Sequence, residues 1–116
     1  MVPHSLRDLP VSLCHQHADV LPPILITENG SAEDDVLSAD GHIHDPDRIE
    51  YLRDHMAAVA EGVDVRGYYV WSLLDNYEWA FGYDRRFGIV HVDYDTLRRT
   101  PKDSYRWYQQ LIAAKA

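Results

Sequence analysis

Cysteine and long apolar runs are nearly absent from this 116-residue chain, whose single thiol belongs to Cys14. One thiol cannot form a disulfide within the chain, which points to a reducing compartment or to no redox role. No stretch approaches the roughly 20 apolar residues of a membrane helix, and no basic region followed by an apolar one opens the chain. We therefore expect a cytoplasmic protein that does not span a membrane.

Positive charge is also scarce, with 11 Lys and Arg against 19 Asp and Glu, for a net charge of -8 at pH 7. A surface of this sign repels nucleic acid phosphates and anionic lipid. The composition therefore predicts no nucleic acid partner and no membrane partner, and it favours a neutral ligand. The hydrophobic fraction of 46% and the charged fraction of 26% are ordinary for a folded domain, so disorder is not predicted.

Metal ligands are suggested only by two histidine pairs, His15 with His17 and His42 with His44. Neither pair has a third ligand placed by a recognisable spacing. Solvated histidines are therefore the favoured interpretation, because a structural metal site takes more than two protein ligands. We expect no metal and no other cofactor.

Three helices are predicted from the spacing of apolar residues and from capping patterns. The first begins at Ser5, with an acidic residue three positions further on, and it should be kinked or restarted at Pro10. The second opens at Asp45–Pro46 and stops near Gly62, and the third is capped by residues 100–103. The residues expected to face the core are Leu6, Leu9, Leu13, Cys14, Ile49, Leu52, Met56, Val59, Ala60, Val63, Trp107, Tyr108, Leu111 and Ile112.

Two runs, 24–27 and 65–74, are predicted as strands because β-branched and aromatic residues dominate them. The first run is continuously apolar, which is typical of a strand buried on both faces in a parallel sheet. A loop over 29–45 and then the second helix lie between the two strands, and this order forms a βαβ unit. A shorter extended segment is predicted over 88–94.

The predicted order is helix, strand, helix, strand, helix, which places the chain in the α/β class. Two parallel strands are too few to close a barrel, since a (β/α)8 barrel takes about 250 residues. If the chain is barrel material, it therefore represents only a part of the barrel.

Glu28 directly follows the first predicted strand and precedes the turn residues Asn29 and Gly30. Its carboxylate is therefore expected at the C-terminal edge of a parallel sheet, where the active sites of α/β folds lie. Two other interpretations stay open at this point. The carboxylate could belong to a solvated strand end, or to a hairpin turn, which Asn-Gly also favours.

The end of the second predicted strand is rich in groups that bind sugars. Residues 71–79 place two indoles, an amide and two carboxylates beside the same edge. Aromatic faces bind the C–H surfaces of sugars, and carboxylates and amides bind the hydroxyls. Core packing is the competing interpretation for Trp71. It applies less well to Trp79, because the neighbouring Glu78 resists burial.

Four motifs occur together and in order in this chain. They are Ile26-Thr27-Glu28-Asn29-Gly30, Trp71 through Trp79, Tyr83-Asp84-Arg85-Arg86-Phe87-Gly88, and Lys102-x-Ser104-x-x-Trp107-Tyr108. In combination they resemble the successive C-terminal motifs of glycoside hydrolase family 1, which includes retaining β-glucosidases, and the resemblance runs from about Ser5 to Ile112. It implies the C-terminal portion of a TIM (β/α)8 barrel, incomplete, with residues 1–116 as a single truncated barrel segment.

The resemblance also implies the catalytic roles. Glu28 is the expected nucleophile, which attacks the anomeric carbon of a terminal β-D-glucoside and forms a glycosyl-enzyme intermediate. Asn29 and Asp75 match family positions as well, and we expect them to have supporting roles.

The expected sugar-binding residues follow from the same resemblance. Trp71 should lie under the sugar ring, Glu78 should bind two hydroxyls, and Trp79 should donate its indole N–H to another. Phe87 should close the wall near the exocyclic carbon. Because the 6-phospho-β-glycosidases of the family depart from the Glu-Trp pair, and because a carboxylate repels phosphate, we expect an unphosphorylated β-glucoside or β-galactoside.

One essential group is missing from the chain. A retaining mechanism needs a second carboxyl about 5 to 5.5 Å from the nucleophile, and the family supplies it from an Asn-Glu-Pro segment that does not occur here. Pairing Glu28 with Glu78 is not favoured, since in the family the second of these faces sugar hydroxyls. We therefore expect the isolated chain to have negligible glucosidase activity.

An incomplete barrel leaves unpaired strand edges and an uncovered apolar face. We therefore expect association with the missing N-terminal portion of the barrel, or self-association. Three functional classes stay open: a part of a glycosidase, an inert remnant, and a non-catalytic module that binds sugar through Trp71, Glu78 and Trp79.

Overall fold

The computed structural model describes residues 2–61 and 63–114. Its elements are α1 (Pro3–His17), β1 (Ile24–Asn29), α2 (Pro46–Ala60), β2 (Val65–Val70), a short 3-10 helix (Trp79–Phe81), β3 (Val90–Val92), β4 (Arg99–Pro101) and α3 (Asp103–Ala113). None of the helices in this part of the chain combines the length and apolar character that crossing a bilayer requires.

The central unit is the pair β1 and β2, which lie parallel and are connected through α2. This arrangement confirms the predicted βαβ unit and the α/β class. The predicted bound of the second strand, 65–74, is wrong, because β2 ends at Val70 and the backbone of Ser72 and Leu73 bonds to residues 87–90 instead. Leu25 lies opposite Gly67 in the register, and Ile26 lies opposite Tyr68. Two strands leave the sheet open, so the described residues do not close a barrel.

The two faces of this sheet differ in burial. Ile26 is buried, whereas Leu25 and Tyr69 are 53% and 59% exposed. A Cβ on Gly67 would lie 2.9 Å from Leu25 Cδ2 and 3.5 Å from Tyr69 Cε2, so these three residues share the exposed face. The prediction of burial on both faces is therefore wrong for this chain, because the described residues cover one face of the sheet and leave the other open.

The second sheet consists of β3 and β4, and β4 was not predicted. β3 lies within the predicted extended segment 88–94 and pairs antiparallel with β4, with His91 opposite Thr100. β4 takes up residues that were expected to cap the last helix. The N-cap of α3 is Lys102, which makes no capping bond through its side chain. The helix therefore begins within the predicted range 100–103, but Thr100 and Pro101 belong to β4 and pair across the sheet instead of capping the helix.

The bounds of α1 differ from the prediction. The helix begins at Pro3 rather than Ser5, since proline at the first position suits helical geometry, and the N-cap makes no side-chain bond. It also continues through Pro10, whose buried ring offsets the backbone hydrogen bond lost there. Leu9 and Leu13, which were expected in the core, are exposed.

α2 begins at Pro46 as predicted, but its buried face includes polar residues that apolar spacing misses. Its buried residues are Arg48, Leu52, His55, Ala58 and Val59. Of the other residues predicted to face the core, Ile49 and Met56 are half-buried, and Ala60 is exposed. Val63 is half-buried beyond the end of the helix. The predicted stop at Gly62 lies outside the described residues.

The aromatic face of α3 is only partly covered. Trp107, Tyr108 and Leu111 are half-buried, Ile112 is exposed, and Ser104 is the buried residue of this helix. The aromatic and apolar side chains line an open cavity of about 460 Å³ between α2, β2 and α3. Their predicted core position is therefore only partly confirmed, because the described residues do not fill this cavity.

Candidate active site

The C-terminal ends of β1 and β2 meet at one edge of the parallel sheet. Asn29 pairs with Val70, and the backbone N–H of Trp71 donates to the carbonyl of Asn29 at 2.9 Å. Glu28 immediately precedes this junction, and its side chain lies on the exposed surface. The carboxylate and the first indole therefore occupy neighbouring strand ends.

Asn29 ties this edge to helix α2. Its Oδ1 accepts a hydrogen bond from the Tyr68 hydroxyl, and its Nδ2 donates to the Tyr51 hydroxyl at 3.1 Å. Burial raises the pKa of Tyr68, so this hydroxyl stays protonated and can donate. The Tyr51 ring stacks on His55 at 3.8 Å between centroids, and His55 Nδ1 lies 2.7 Å from the Tyr51 carbonyl.

Gly30 allows the two strand ends to approach closely. A Cβ at this position would lie 1.7 Å from the carbonyl oxygen of Trp71, so any larger residue would clash with backbone. Asn29 itself remains within β1, which pairs in parallel with β2. The hairpin interpretation of Asn-Gly is therefore wrong, and the glycine is required by the contact with the neighbouring strand.

Trp71 and Phe87 are brought together by backbone pairing. Ser72 donates its N–H to the Phe87 carbonyl at 3.2 Å, and the N–H of Ile89 returns a bond to the Ser72 carbonyl at 2.9 Å. Trp71 is 38% exposed, so the described part of the chain does not bury it as a core residue. The segments that carry the indole and the phenyl ring are therefore adjacent, linked by backbone hydrogen bonds.

Glu78 and Trp79 lie on a loop that folds back on itself. The N–H of Glu78 donates to the Gly82 carbonyl at 2.7 Å, and the N–H of Phe81 donates to the Glu78 carbonyl at 2.8 Å. Trp79 begins the 3-10 helix and is 83% exposed, which excludes core packing within the described residues. Glu78 is half-buried.

Asp75 is buried and acts as a structural hub. Its two carboxylate oxygens accept bonds from the N–H of Gly88 at 3.0 Å and of Val92 at 3.2 Å, from Arg86 Nη1 at 2.7 Å, and from Lys102 Nζ at 2.9 Å. These bonds satisfy the carboxylate inside the protein. Asp75 therefore has contacts that suit a supporting role.

The same hub extends into a buried cluster of charges, here called the ion cluster. Its members are Asp35, Asp45, Asp75, Arg48, Arg86 and Lys102. Arg86 and Lys102 lie in recognised motifs, but Asp35 and Arg48 carried no signal in the sequence. Tyr51 and Tyr68 were also missed as partners of Asn29, because their spacing along the chain does not reveal the contact.

His44 bonds two carboxylates on the surface. Its Nδ1 lies 2.6 Å from Asp103 Oδ2, and its Nε2 lies 3.1 Å from Asp40 Oδ2. The bond to Asp103, followed by the bond to Asp40, raises the pKa of His44. Among residues 2–61 and 63–114, no group of three His, Cys, Asp or Glu side chains is arranged to hold a metal ion.

His44 should make stability depend on pH. The pKa of His44 in the folded state lies above the usual value of 6.5. The contribution of His44 to the free energy of unfolding is therefore fully present below pH 6.5 and is lost as pH rises through the raised pKa. Urea unfolding between about pH 5 and about pH 8 should show a small extra loss of stability in the wild type relative to His44→Gln. Parallel stability curves for the two proteins would contradict this prediction.

The chain is similar to β-glucosidases in both sequence and structure. It matches the model of glycosyl hydrolase family 1 over residues 1–116. It is 56% identical to beta-glucosidase A of Thermotoga maritima over 95 residues, which are 78% of this chain and 21% of that protein. The psychrophilic beta-glucosidase BglU from Micrococcus antarcticus superposes with a TM-score of 0.89 at 52% identity, over 97% of this chain and 24% of that chain.

Two further matches bear on the ligand. The structure of a beta-glucosidase from Thermotoga maritima in complex with glucoimidazole has a TM-score of 0.89 at 47% identity, over 97% of this chain and 26% of that chain. A 6-phospho-beta-galactosidase of Streptococcus equi subsp. zooepidemicus is 47% identical over 79% of this chain and 20% of that protein. The chain thus spans about a quarter of the length of the relatives it matches, and its α/β segment corresponds to part of their TIM barrel.

Proposed function

Because this chain belongs to glycosyl hydrolase family 1, we propose that it is the C-terminal quarter of a retaining β-glucosidase, with Glu28 as nucleophile. The observation that carries the proposal is the junction of the two strand ends, where Trp71 N–H bonds to the Asn29 carbonyl beside an exposed Glu28. This is the edge of a parallel sheet at which barrel enzymes place their catalytic groups.

The reaction follows from the chemistry of a carboxylate. One Glu28 oxygen attacks the anomeric carbon, the bond from that carbon to the leaving oxygen breaks, and a glycosyl ester forms. Water later cleaves this ester and regenerates the carboxylate. Both steps need a second carboxyl group, first to protonate the leaving oxygen and then to take a proton from water. That group has to come from outside this chain, so the chain alone should turn over almost no glucoside.

The sugar would be held by Trp71, Glu78, Trp79 and Phe87. The exposure of both indoles supports this assignment, because an indole face must be accessible to bind the C–H surface of a sugar. The backbone bond from Ser72 to Phe87 places the first indole and the phenyl ring in adjoining segments. The Glu78 carboxylate accepts hydroxyl hydrogen bonds and repels phosphate, which favours an unphosphorylated β-glucoside or β-galactoside.

The partner we propose is the remaining three-quarters of a family 1 barrel. The open face of the sheet carries the exposed Leu25 and Tyr69, and both strands have a free edge. The relatives are about four times as long as this chain, so they have the additional residues that such a covering layer needs. Self-association is less favoured, because each copy carries a net charge of -8.

Covalent trapping tests the nucleophile without requiring the missing acid. The reagent is a 2-deoxy-2-fluoro-β-D-glucoside whose dinitrophenolate leaving group departs without being protonated. Its fluorine slows hydrolysis of the glycosyl ester, so the ester accumulates. The chain would be mixed with the segments of Thermotoga maritima beta-glucosidase A that it does not match. Intact mass and peptide mapping should then find one added fluoroglucosyl group on Glu28.

Other outcomes of this experiment distinguish the alternatives. A label on a different residue would overturn the assignment of Glu28. Tryptophan fluorescence that responds to glucose without any labelling would favour a non-catalytic sugar-binding module. The absence of both labelling and a fluorescence response would favour an inert remnant. A faster reaction with the 6-phosphorylated form of the reagent would overturn the proposed unphosphorylated substrate.

A further inference from the structure

We propose that Tyr94 is a positioning residue for the loop 76–84, acting through a stack of aromatic rings that rests on Arg86. The inference rests on the proposed function, because this loop carries Glu78 and Trp79, the proposed sugar-binding pair. Tyr94 itself lies outside the loop and follows strand β3. It would set the position of the sugar-binding groups without contacting the sugar.

The stack connects the loop to the body of the protein in three steps. Tyr77, near the start of the loop, meets Tyr83 edge-on at 5.3 Å between ring centroids. Tyr83, near the end of the loop, contacts Tyr94 at 4.5 Å. The guanidinium carbon of Arg86 lies 4.8 Å from the centroid of the Tyr94 ring, which is a favourable cation–π distance.

The base of the stack is fixed by buried groups. Arg86 Nη1 donates to Asp75 Oδ2 at 2.7 Å and to the Val92 carbonyl at 2.9 Å. The Tyr94 hydroxyl donates to the Asn76 carbonyl at 3.3 Å, at the point where the loop leaves the ion cluster. Burial raises the pKa of Tyr94, so its hydroxyl remains protonated and able to donate. The Tyr94 ring is therefore held against Arg86, and its hydroxyl is bonded to the loop.

The loop depends on this contact because its other hydrogen bonds to the rest of the described chain are made at its first residue, where Asn76 Nδ2 donates to Ser72 Oγ at 2.8 Å and to the Leu74 carbonyl at 3.1 Å. Its backbone bonds run between its own residues, as from Glu78 N–H to the Gly82 carbonyl. Trp79 and Phe81 are 83% and 60% exposed, so apolar burial does not hold the loop. Arg85 lies 5.8 Å from the Phe81 ring centroid and pairs with Asp34, but an exposed ion pair contributes little.

Hydrogen exchange on the chain tests whether the stack orders the loop. Tyr94→Leu should accelerate exchange of the loop amides, including those of Glu78, Phe81 and Gly82, by on the order of tenfold. Tyr94→Phe keeps the ring and should exchange nearly as the wild type does. Tyr69→Leu, which changes an exposed tyrosine on the open sheet face, is the matched control.

A second variant protects the test from a general loss of folding. Tyr83 is half exposed, so Tyr83→Leu breaks the same stack while sparing the buried base. It should accelerate exchange in the loop and leave the amides of β1 and β2 unchanged. If neither leucine variant changes exchange in the loop, the positioning role of Tyr94 is refuted.

Kinetics with the rest of the barrel distinguish positioning from general stability. In the mixture with the remaining beta-glucosidase A segments, Tyr94→Leu should raise KM for an aryl glucoside on the order of tenfold and change kcat less. This effect should nearly vanish when Glu78→Gln is already present, because the two changes act on one contact. Equal effects in both backgrounds would refute the inference. A mixture that never labels Glu28 would instead count against the proposed function, and the exchange result would still stand.

Discussion

Replacing Glu28 by alanine is expected to lower aryl glucoside hydrolysis by the reassembled barrel by roughly 10⁴ to 10⁶. The reason is that, in the proposed mechanism, this carboxylate forms the covalent intermediate, which an alanine side chain cannot do. The measurement is the initial rate with a dinitrophenyl glucoside, which removes the need for a proton on the leaving group. Glu50→Ala, which removes an exposed carboxylate from α2, should leave the rate unchanged.

Azide should partly restore the Glu28→Ala variant in a diagnostic way. The small anion can enter the space left by the carboxylate and form a bond to the anomeric carbon as the dinitrophenolate leaves. The product should be an α-glucosyl azide, with configuration opposite to that of the substrate, because attack comes from the face the carboxylate used. A β-glucosyl azide, or full activity without azide, would show that Glu28 is not the nucleophile.

Replacing Lys102 by methionine is expected to destabilise the chain by about 3 to 5 kcal/mol. Its Nζ is fully buried, bonds Asp75 Oδ1 at 2.9 Å and also bonds Asp35. Loss of the ammonium group leaves both buried carboxylates short of a partner. Since small domains are stable by only about 5 to 15 kcal/mol, the variant should lose much of its cooperative unfolding transition in urea.

The size of this effect follows from the charge balance of the ion cluster. Three carboxylates, Asp35, Asp45 and Asp75, are matched by three cations, Arg48, Arg86 and Lys102. Removing one cation leaves a net negative charge in a site with almost no access to water. A buried pair is costly to break for this reason, even where forming it stabilises the fold only slightly.

Two further variants serve as controls for the lysine. Lys102→Arg keeps the charge and should lower the free energy of unfolding by less than Lys102→Met does. Arg98→Met removes a cation from an exposed position and should leave the unfolding midpoint nearly unchanged. If Lys102→Met unfolds at the same urea concentration as Arg98→Met, the ion cluster does not stabilise the fold.

Local sequence was sufficient for the order of the three helices and the two parallel strands, but not for β4 or the 3-10 helix. The runs around Ile26 and Tyr68 were predicted as strands, and both lie in the parallel pair. The helix start at Pro46 was also correct. These predictions succeeded because strand and helix preferences depend on side chains only a few positions apart. The placement of Glu28 at a strand end followed from the same local pattern, while its catalytic role stays a prediction.

Contacts between distant residues could not be predicted in this way. Lys102 bonds a carboxylate 27 positions away and another 67 positions away. The spacing of apolar residues predicted Ile49 in the core, whereas the structure buries Arg48. The bonds of Asn29 to Tyr51 and Tyr68 had no recognisable sequence pattern. The open sheet face also differed from the predicted burial on both faces. A continuously apolar strand indicates that both of its faces can be buried, but it does not indicate whether a covering layer is present.

The sequence alone determined the family, the βαβ order and the residues available for chemistry, because motifs and periodicity are properties of neighbouring positions. Tertiary structure alone decided how these residues are held. It pairs Asn29 with two tyrosines, seats Asp75 among two cations, and leaves Trp79 and Tyr69 exposed. Such contacts depend on the packing of elements far apart in the chain, where charge pairing and burial are settled only once the fold has formed.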